Sequence, residues 1–472
     1  MKKEKHSTNI DLVHHSMNPN KVILILAWPA ILEQLLQTFV SYVDTAMVGS
    51  IGVDATAAVA VNMPLTWMIY GILNGIGLGC SVIVAKKIGE QDLDGAKEAV
   101  RQSVILMALS GMAIFAIVEG LLAKHLAAWL GADPELIPQA QQYLYIVGVS
   151  MLFQPMLVIA GNVIRGTGNT WTPMFFNVVN NFINIFFNFL LIYPTRQIQF
   201  AGLSFTMWGA GMGVAGAAWG TTIAAIISGI FMLLALRKKD SPAAIRLLCK
   251  YRIDCELMKS IFVIAVPAAM ERVIISCGQM ISTGLATGLG NKPLAAHQLA
   301  TTAESICYMP VSGISVAATT LVAQSLGAGD KKLASTYAKG SILFGLAAMA
   351  VTATLLFTFA PQLMSIFIDD AQVIAMGAMV LRVQAFAEPC LGTAIISVGI
   401  LKGAGDSKWS LYNGMIGMWA VRIPLAYIFV KFTPMGLMGL WVSMALDWVS
   451  RTILALIRLK SGKWKDNWDV TA

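Results

Sequence analysis

The chain has 472 residues, of which 57% are hydrophobic and only 12% charged, with a formal net charge of +8. Soluble domains carry about 25% charge, so this chain has too few ionisable groups to cover a folded surface in water. Most soluble enzymes, disordered proteins and nucleic-acid binders are thereby excluded, and the surplus apolar surface must face lipid.

A bilayer-spanning helix needs about 20 apolar residues. Runs of that length, taken in chain order, predict twelve spans, near 22–46, 56–80, 101–123, 139–163, 171–193, 210–236, 259–285, 294–320, 338–360, 373–399, 409–431 and 436–458. The connections between them are short and hold no soluble domain. The first 20 residues are polar and lead straight into a span, so no cleavable signal is expected. Lys and Arg set the orientation. With the N-terminus in the cytoplasm, 25 of them fall on the inner side. Only Lys124, Arg196, Lys292 and Lys431 fall outside, while Arg272, Arg382, Arg422 and Arg451 lie within spans. This asymmetry predicts an even number of spans with both termini cytoplasmic.

The sequence repeats itself. At a constant offset of 238 residues, Pro29 aligns with Pro267, Glu33 with Glu271, Gly52 with Gly290, Gly89 with Gly327 and Asp92 with Asp330. At an offset of 237, Arg165-Gly166-Thr167-Gly168 matches Lys402-Gly403-Ala404-Gly405. The predicted organisation is a cytoplasmic tail (1–21), a six-helix lobe (22–236), a basic linker (237–258), a second six-helix lobe (259–458) and a second cytoplasmic tail (459–472). Six is even, so the lobes share an orientation and are related by an axis along the membrane normal. A parallel repeat with a midplane cavity is transporter architecture.

Polar groups inside hydrocarbon are costly and face the bundle interior or a water-filled cavity. Glu33, Gln37, Ser41 and Asp44 share one face of the first span, and Asn177, Asn181, Asn184 and Asn188 share one face of the fifth. The second half keeps Glu271 but places Ser282 where Asp44 would be, and Val421 and Leu425 where Asn184 and Asn188 would be. A coupling cation therefore belongs in the first lobe. Gln279, Glu304 and Glu388, with Glu33, Gln37 and Glu271, are candidates to line the substrate path. Asp447 and the four buried arginines suit ion pairs, and His297 suits a buried hydrogen bond. Pro29, Pro155, Pro267, Pro310 and Pro389 offer kink sites.

No GxxxxGK[ST] loop occurs, so ATP is not the driving force. The paired RGTG and KGAG segments read as tight helix-to-helix turns. No HExxH motif, CxxC pair or catalytic dyad is present, which speaks against an intramembrane enzyme and against a cofactor. Transport must run on an ion gradient or be passive.

Val43-Asp44-Thr45-Ala46-Met47-Val48-Gly49 at the end of the first span, the Arg165-Gly166-Thr167-Gly168 turn with its Lys402-Gly403-Ala404-Gly405 twin, Asn184-Ile185-Phe186-Phe187-Asn188 and Gly216-Ala217-Ala218-Trp219-Gly220-Thr221 together resemble the multidrug and toxic compound extrusion (MATE) family, on its DinF-like side. The resemblance implies an all-α, V-shaped fold of twelve transmembrane helices in two lobes. It also implies secondary active export of small organic cations or drugs in exchange for H⁺ or Na⁺, by a monomer in the inner membrane of a prokaryote. Carried over, Asp44 is the ion-coupling acid, and Asn184, Asn188 and Thr221 complete the proton or Na⁺ site. Asn188 departs from the family pattern, which often has Asp there, so one carboxylate is lost. A second reading is a lipid or lipid-linked glycan flippase on the same two-lobe plan. A flippase calls for a cationic cavity, whereas the candidates here are acids and amides.

Overall fold

The apolar runs are long enough, and poor enough in Gly and Pro at their centres, to complete their backbone hydrogen bonds as helices, the arrangement a bilayer demands of lipid-exposed backbone. The computed structural model describes residues 18–131, 133–200, 203–237, 241–242, 244–245 and 252–466. Most of the predicted N-terminal tail, much of the basic linker and the end of the C-terminal tail lie outside the described residues.

The first half contains α1 (Pro19–Gly49), α2 (Val53–Gly89) and α3 (Leu93–Ile117), which passes through a π turn (Val118–Leu122) into α4 (Ala123–Trp129). It continues with α5 (Ile137–Ser150), α6 (Gln154–Gly166), α7 (Trp171–Leu191) and α8 (Val214–Ala235). The second half contains α9 (Cys255–Thr287), α10 (Asn291–Gly327), α11 (Lys331–Thr358), α12 (Ala360–Ser365) and α13 (Ala371–Gly403). A further span starts as α14 (Ser407–Met415), crosses a π turn (Ile416–Arg422) and ends as α15 (Ile423–Phe432), before α16 (Leu437–Lys460). Among the described residues, eleven helices are long and apolar enough to cross a bilayer, and the pair α5 and α6, bent by 45°, supplies a twelfth.

Three details depart from the sequence-based expectation. The fourth span is broken between Ser150 and Gln154, because Pro155 stands in the first turn of α6 and cannot continue the hydrogen-bond ladder of α5. By contrast, α1, α9, α10 and α13 run on through Pro29, Pro267, Pro310 and Pro389. Two π turns interrupt the third and eleventh spans. A β-hairpin, β1 (Pro194–Phe200) against β2 (Leu203–Ala210), fills the connection between α7 and α8. Pro194 stops the helix, and Gly211 and Gly213 adopt φ of 65° and 56°, turning the chain from β2 into α8.

The internal repeat is visible in the turns. Gly52 and Gly290 both have positive φ, at 149° and 104°, as do Gly168 and Gly405, at 89° and 75°. The RGTG and KGAG segments are therefore tight helix-to-helix turns, as read from the sequence. Gln91 adopts φ of 59° where its repeat partner Gly329 adopts 76°. The second half uses glycine, and the first half tolerates the strained conformation with a side chain.

The chain forms two compact units. Counting described residues alone, one draws on 35–84 and 93–258, and the other on 10–34, 85–92 and 259–472. The N-terminal part of α1 and the turn after α2 thus belong with the second half. Within that unit the ends of α2 and α10 meet back to back. A Cβ on Gly89 would strike the Gln324 carbonyl, and one on Gly327 would strike the Lys86 carbonyl.

Candidate functional site

The asparagine stripe of α7 is held against α8 by two glycines. A side chain at Gly216 would collide with the Leu191 carbonyl, and one at Gly220 with the Asn188 amide. This close approach brings Asn184, Asn188 and Thr221 together and turns them toward Asp44 on α1. Asn184 and Asn188 are buried, and Asp44 is half-buried. Toward the C-terminal end of α1 lies an apolar cluster that includes Met47, Val48, Ile192, Val214 and Ala217, with Tyr143 and Tyr193 packed on it.

Asn188 Nδ2 donates to Asp44 Oδ1 at 3.0 Å. Asn184 has two complete arrangements. In one, its Nδ2 donates to Thr221 Oγ1 at 3.2 Å, and its Oδ1 accepts from Asn188 Nδ2 at 3.3 Å. Thr221 then passes its own proton to the Ala217 carbonyl at 3.1 Å. That leaves the Asn184 oxygen facing the carboxyl of Asp44, which suits a protonated acid. With the amide turned over, its nitrogen donates to Asp44 Oδ1 and Oδ2 at 2.8 and 2.9 Å, and its oxygen accepts from Thr221 at 3.2 Å. That arrangement suits a carboxylate. The Asn188 Oδ1 remains buried without a donor. Two acid oxygens, two amide oxygens and one hydroxyl therefore converge, a hard donor set matched to a proton or a small monovalent cation.

The sequence did not single out three neighbours. Tyr143 lies within electrostatic reach of Asp44 and of Tyr70. Tyr193 Oη shares a hydrogen bond of 2.7 Å with Ser50 Oγ, and so ties the C-terminal end of α1 to the foot of the hairpin. Arg196 stacks over the Phe189 and Tyr193 rings, with its guanidinium 4.3 and 3.9 Å from their centroids. Aromatic residues at helix ends read as membrane-interface anchors in a sequence, which masks such contacts.

The remaining candidates fall elsewhere. Gln37 and Gln279 are exposed on their helices, and among the described residues neither hydrogen-bonds to the Asp44 cluster. Glu33 is buried on the N-terminal part of α1. Glu271 is buried in an ion pair, with Lys402 Nζ 2.9 Å and Ser410 Oγ 2.6 Å from its Oε2. The structure does not bring it to Glu388. Glu304 on α10 accepts from Gln384 of α13 at 2.8 Å. Asp447 pairs with Arg451 at 2.6 Å. His297 accepts from Trp441 Nε1 at 3.2 Å through Nδ1, the buried hydrogen bond expected of it. Ser282, the repeat partner of Asp44, bonds back to the Gly278 carbonyl of its own helix, at 3.1 Å.

Comparison with known proteins gives one family. The MatE family model matches residues 29–190 and 267–428, two stretches displaced by the same 238 residues as the internal repeat. A probable multidrug resistance protein NorM from Thermotoga maritima is 27% identical over 94% of this chain and 93% of that protein. An uncharacterised transporter, YisQ, from Bacillus subtilis is 27% identical over 93% of this chain and 94% of its own. Among solved structures, an outward-facing multidrug resistance MATE transporter of the MOP superfamily has a TM-score of 0.88 at 22% identity, covering 98% of this chain and 100% of that one. A MOP superfamily transporter from Pyrococcus furiosus has a TM-score of 0.87 at 22% identity, covering 99% and 100%. The binding pocket of that Pyrococcus transporter has reverse polarity, which suggests a different function for it.

Proposed function

The chain belongs to the MatE family, whose members are transporters and not enzymes, and from that premise we propose that it exports organic cations in exchange for H⁺ or Na⁺. Its seat is the cytoplasmic membrane of a prokaryote, with both termini inside, and it works as a monomer. The family model and the multidrug resistance names of its relatives support efflux. The observation that carries the coupling is the grouping of Asp44 with Asn184, Asn188 and Thr221 inside apolar helices.

A neutral Asp44 is buried at little cost, whereas an ionised one needs a compensating cation. The entering ion and the departing organic cation compete for the same negative charge. The Asn184 amide follows the change, accepting from the protonated acid and donating to the carboxylate. When it turns over, Thr221 exchanges its bond to the Ala217 carbonyl for one to Asn184. A proton arriving at Asp44 thereby alters the bonding of α8 as well as of α1 and α7. The Ser50–Tyr193 bond passes a shift of α1 to the hairpin.

The test is ethidium efflux from proteoliposomes carrying the wild type or Asp44→Asn, under separately imposed Na⁺ and pH gradients. Efflux driven by one gradient and abolished by the substitution identifies a cation antiporter and names its ion. Efflux that ignores the substitution removes Asp44 from the mechanism. No efflux of any cationic dye by folded wild type favours lipid or lipid-linked glycan flipping on the same fold.

A further inference from the structure

The second unit buries its own set of ionisable groups, and the proposed antiport uses none of them. Glu304 of α10, Glu388 of α13, Asp447 and Arg451 of α16, and Arg422 at the end of the second π turn are all at most 7% exposed. An apolar layer that includes Ala300, Ala303, Leu381, Ala385, Leu440 and Trp441 surrounds them. Buried charge must balance locally, because the interior of a span offers no solvent to screen it. Three acids face two guanidiniums, so one negative charge is left over.

The surplus cannot rest on His297. Its Nδ1 accepts a hydrogen bond from Trp441, and a protonated imidazole has no acceptor nitrogen. Asp447 is bound to Arg451, and Glu304 is bound to Gln384 and within electrostatic reach of Arg422. Glu388 is different. It is fully buried, and neither of its carboxyl oxygens has a donor. Gln384 stands one turn before it and faces both acids. The Gln384 amide nitrogen is given to Glu304, and its oxygen is buried without a partner. Pro389 follows Glu388 directly and has no N–H for the carbonyl of Ala385. The place therefore holds a run of acceptors and lacks one donor.

We propose that Glu388 is a second proton-binding site of this transporter. The proton comes from the aqueous phase and bonds to one carboxyl oxygen of Glu388, turning the carboxylate into a carboxylic acid. Gln384 links that acid to Glu304, which stays ionised against Arg422. The groups that set the response to pH are Glu304 and the Cys307 thiol on α10, Arg422 on the π turn, and Asp447 and Arg451 on α16. This site is independent of the Asp44 reading, because it lies in the other compact unit and shares no residue with that cluster.

A carbodiimide adds to a protonated carboxyl and not to a carboxylate, so it tests the proposal in the full-length protein in detergent. At neutral pH, N,N′-dicyclohexylcarbodiimide should leave an adduct on Glu388, located by mass spectrometry. The adduct should persist in Asp44→Asn, fade as pH is raised, and resist added NaCl. In parallel, alkaline titration of Glu388→Gln should release one proton fewer than wild type. If that variant does not fold, the adduct on wild type decides alone. Folded wild type with no adduct on Glu388 overturns the proposal in favour of a fully ionised network. Protection by Na⁺ as strong as that by alkali overturns it in favour of a sodium site.

Discussion

Asp44 and Glu388 sit in opposite halves of a duplicated chain, and each is an acid without a cationic partner. Their surroundings differ. Asp44 is half-buried and ringed by amides and a hydroxyl, groups that rotate and exchange donor for acceptor without changing charge. Glu388 is fully buried in a network pinned by arginines, with Arg451 bonded to Asp447 and Arg422 beside Glu304. A ring of neutral dipoles suits a site that must fill and empty. A network of fixed charges suits one that holds its proton more persistently. Duplication supplied two equivalent scaffolds, and divergence placed a different chemistry in each. At the positions of Asp44, Asn184 and Asn188 the second half carries Ser282, Val421 and Leu425, so its polar cluster arose on other faces, of α10, α13 and α16.

Several substitutions break or sharpen this contrast. The largest effect belongs to Asp44→Asn, which should abolish gradient-driven dye efflux, at least ~10-fold below wild type, an effect of at least about 1.4 kcal/mol on the coupled step. Glu271→Ala removes one member of a buried ion pair outside both clusters. It should lower stability by about 3–5 kcal/mol and leave Lys402 uncompensated, while Glu271→Ala with Lys402→Met recovers most of that loss. Thermal unfolding in detergent measures both. Asn188→Asp gives the first half a second carboxylate and should tighten binding of a bare cation by roughly tenfold or more, read from Na⁺ titration of tryptophan fluorescence. Gly220→Ala presses on the Asn188 amide. It should cost ~1–3 kcal/mol of stability and slow efflux, because the amide is displaced from Asp44.

The smallest effect lies outside the membrane. A hydrogen bond from Lys292, 3.0 Å from Asp370, holds the Asp370 carboxyl below its ordinary value of 3.8. Because the folded protein lowers this pKa, the contribution is complete above the ordinary value and fades as pH falls through the folded one. The pair is exposed, so raising the salt should erase most of that dependence. A melting temperature followed against pH at low and high ionic strength checks it.

The sequence showed twelve spans, the repeat and the Asp44 cluster, because each rests on a local period or on residue type. Apolar runs of span length appear in any register, and the spacings from Asn184 to Asn188 and from Glu33 to Asp44 are helical whatever surrounds them. The break at Pro155, the two π turns and the hairpin were not legible. Each depends on one or two residues whose local preference also fits a continuous helix or a loop. The grouping of Glu304, Gln384 and Glu388 was hidden for another reason. The acids were visible one by one, but their meeting depends on how α10 packs against α13, and the 80 residues between Glu304 and Gln384 carry no sign of it.

The ends of α2 and α10 carry a consequence of their own. Gly89 lies on the carbonyl of Gln324, and Gly327 lies on the carbonyl of Lys86. Each glycine is 238 residues from its counterpart, and so is each carbonyl. Residue i of one copy meets residue j of the other, and j meets i, which is the pattern of an isologous contact in a two-fold dimer. The half-chain thus carries, within itself, a surface made to fit its own copy. At this seam a change at one residue of a separate half-length subunit would have acted twice, once on each side of the axis. Fusion into one chain removed that constraint, and the two sides became free to change one residue at a time.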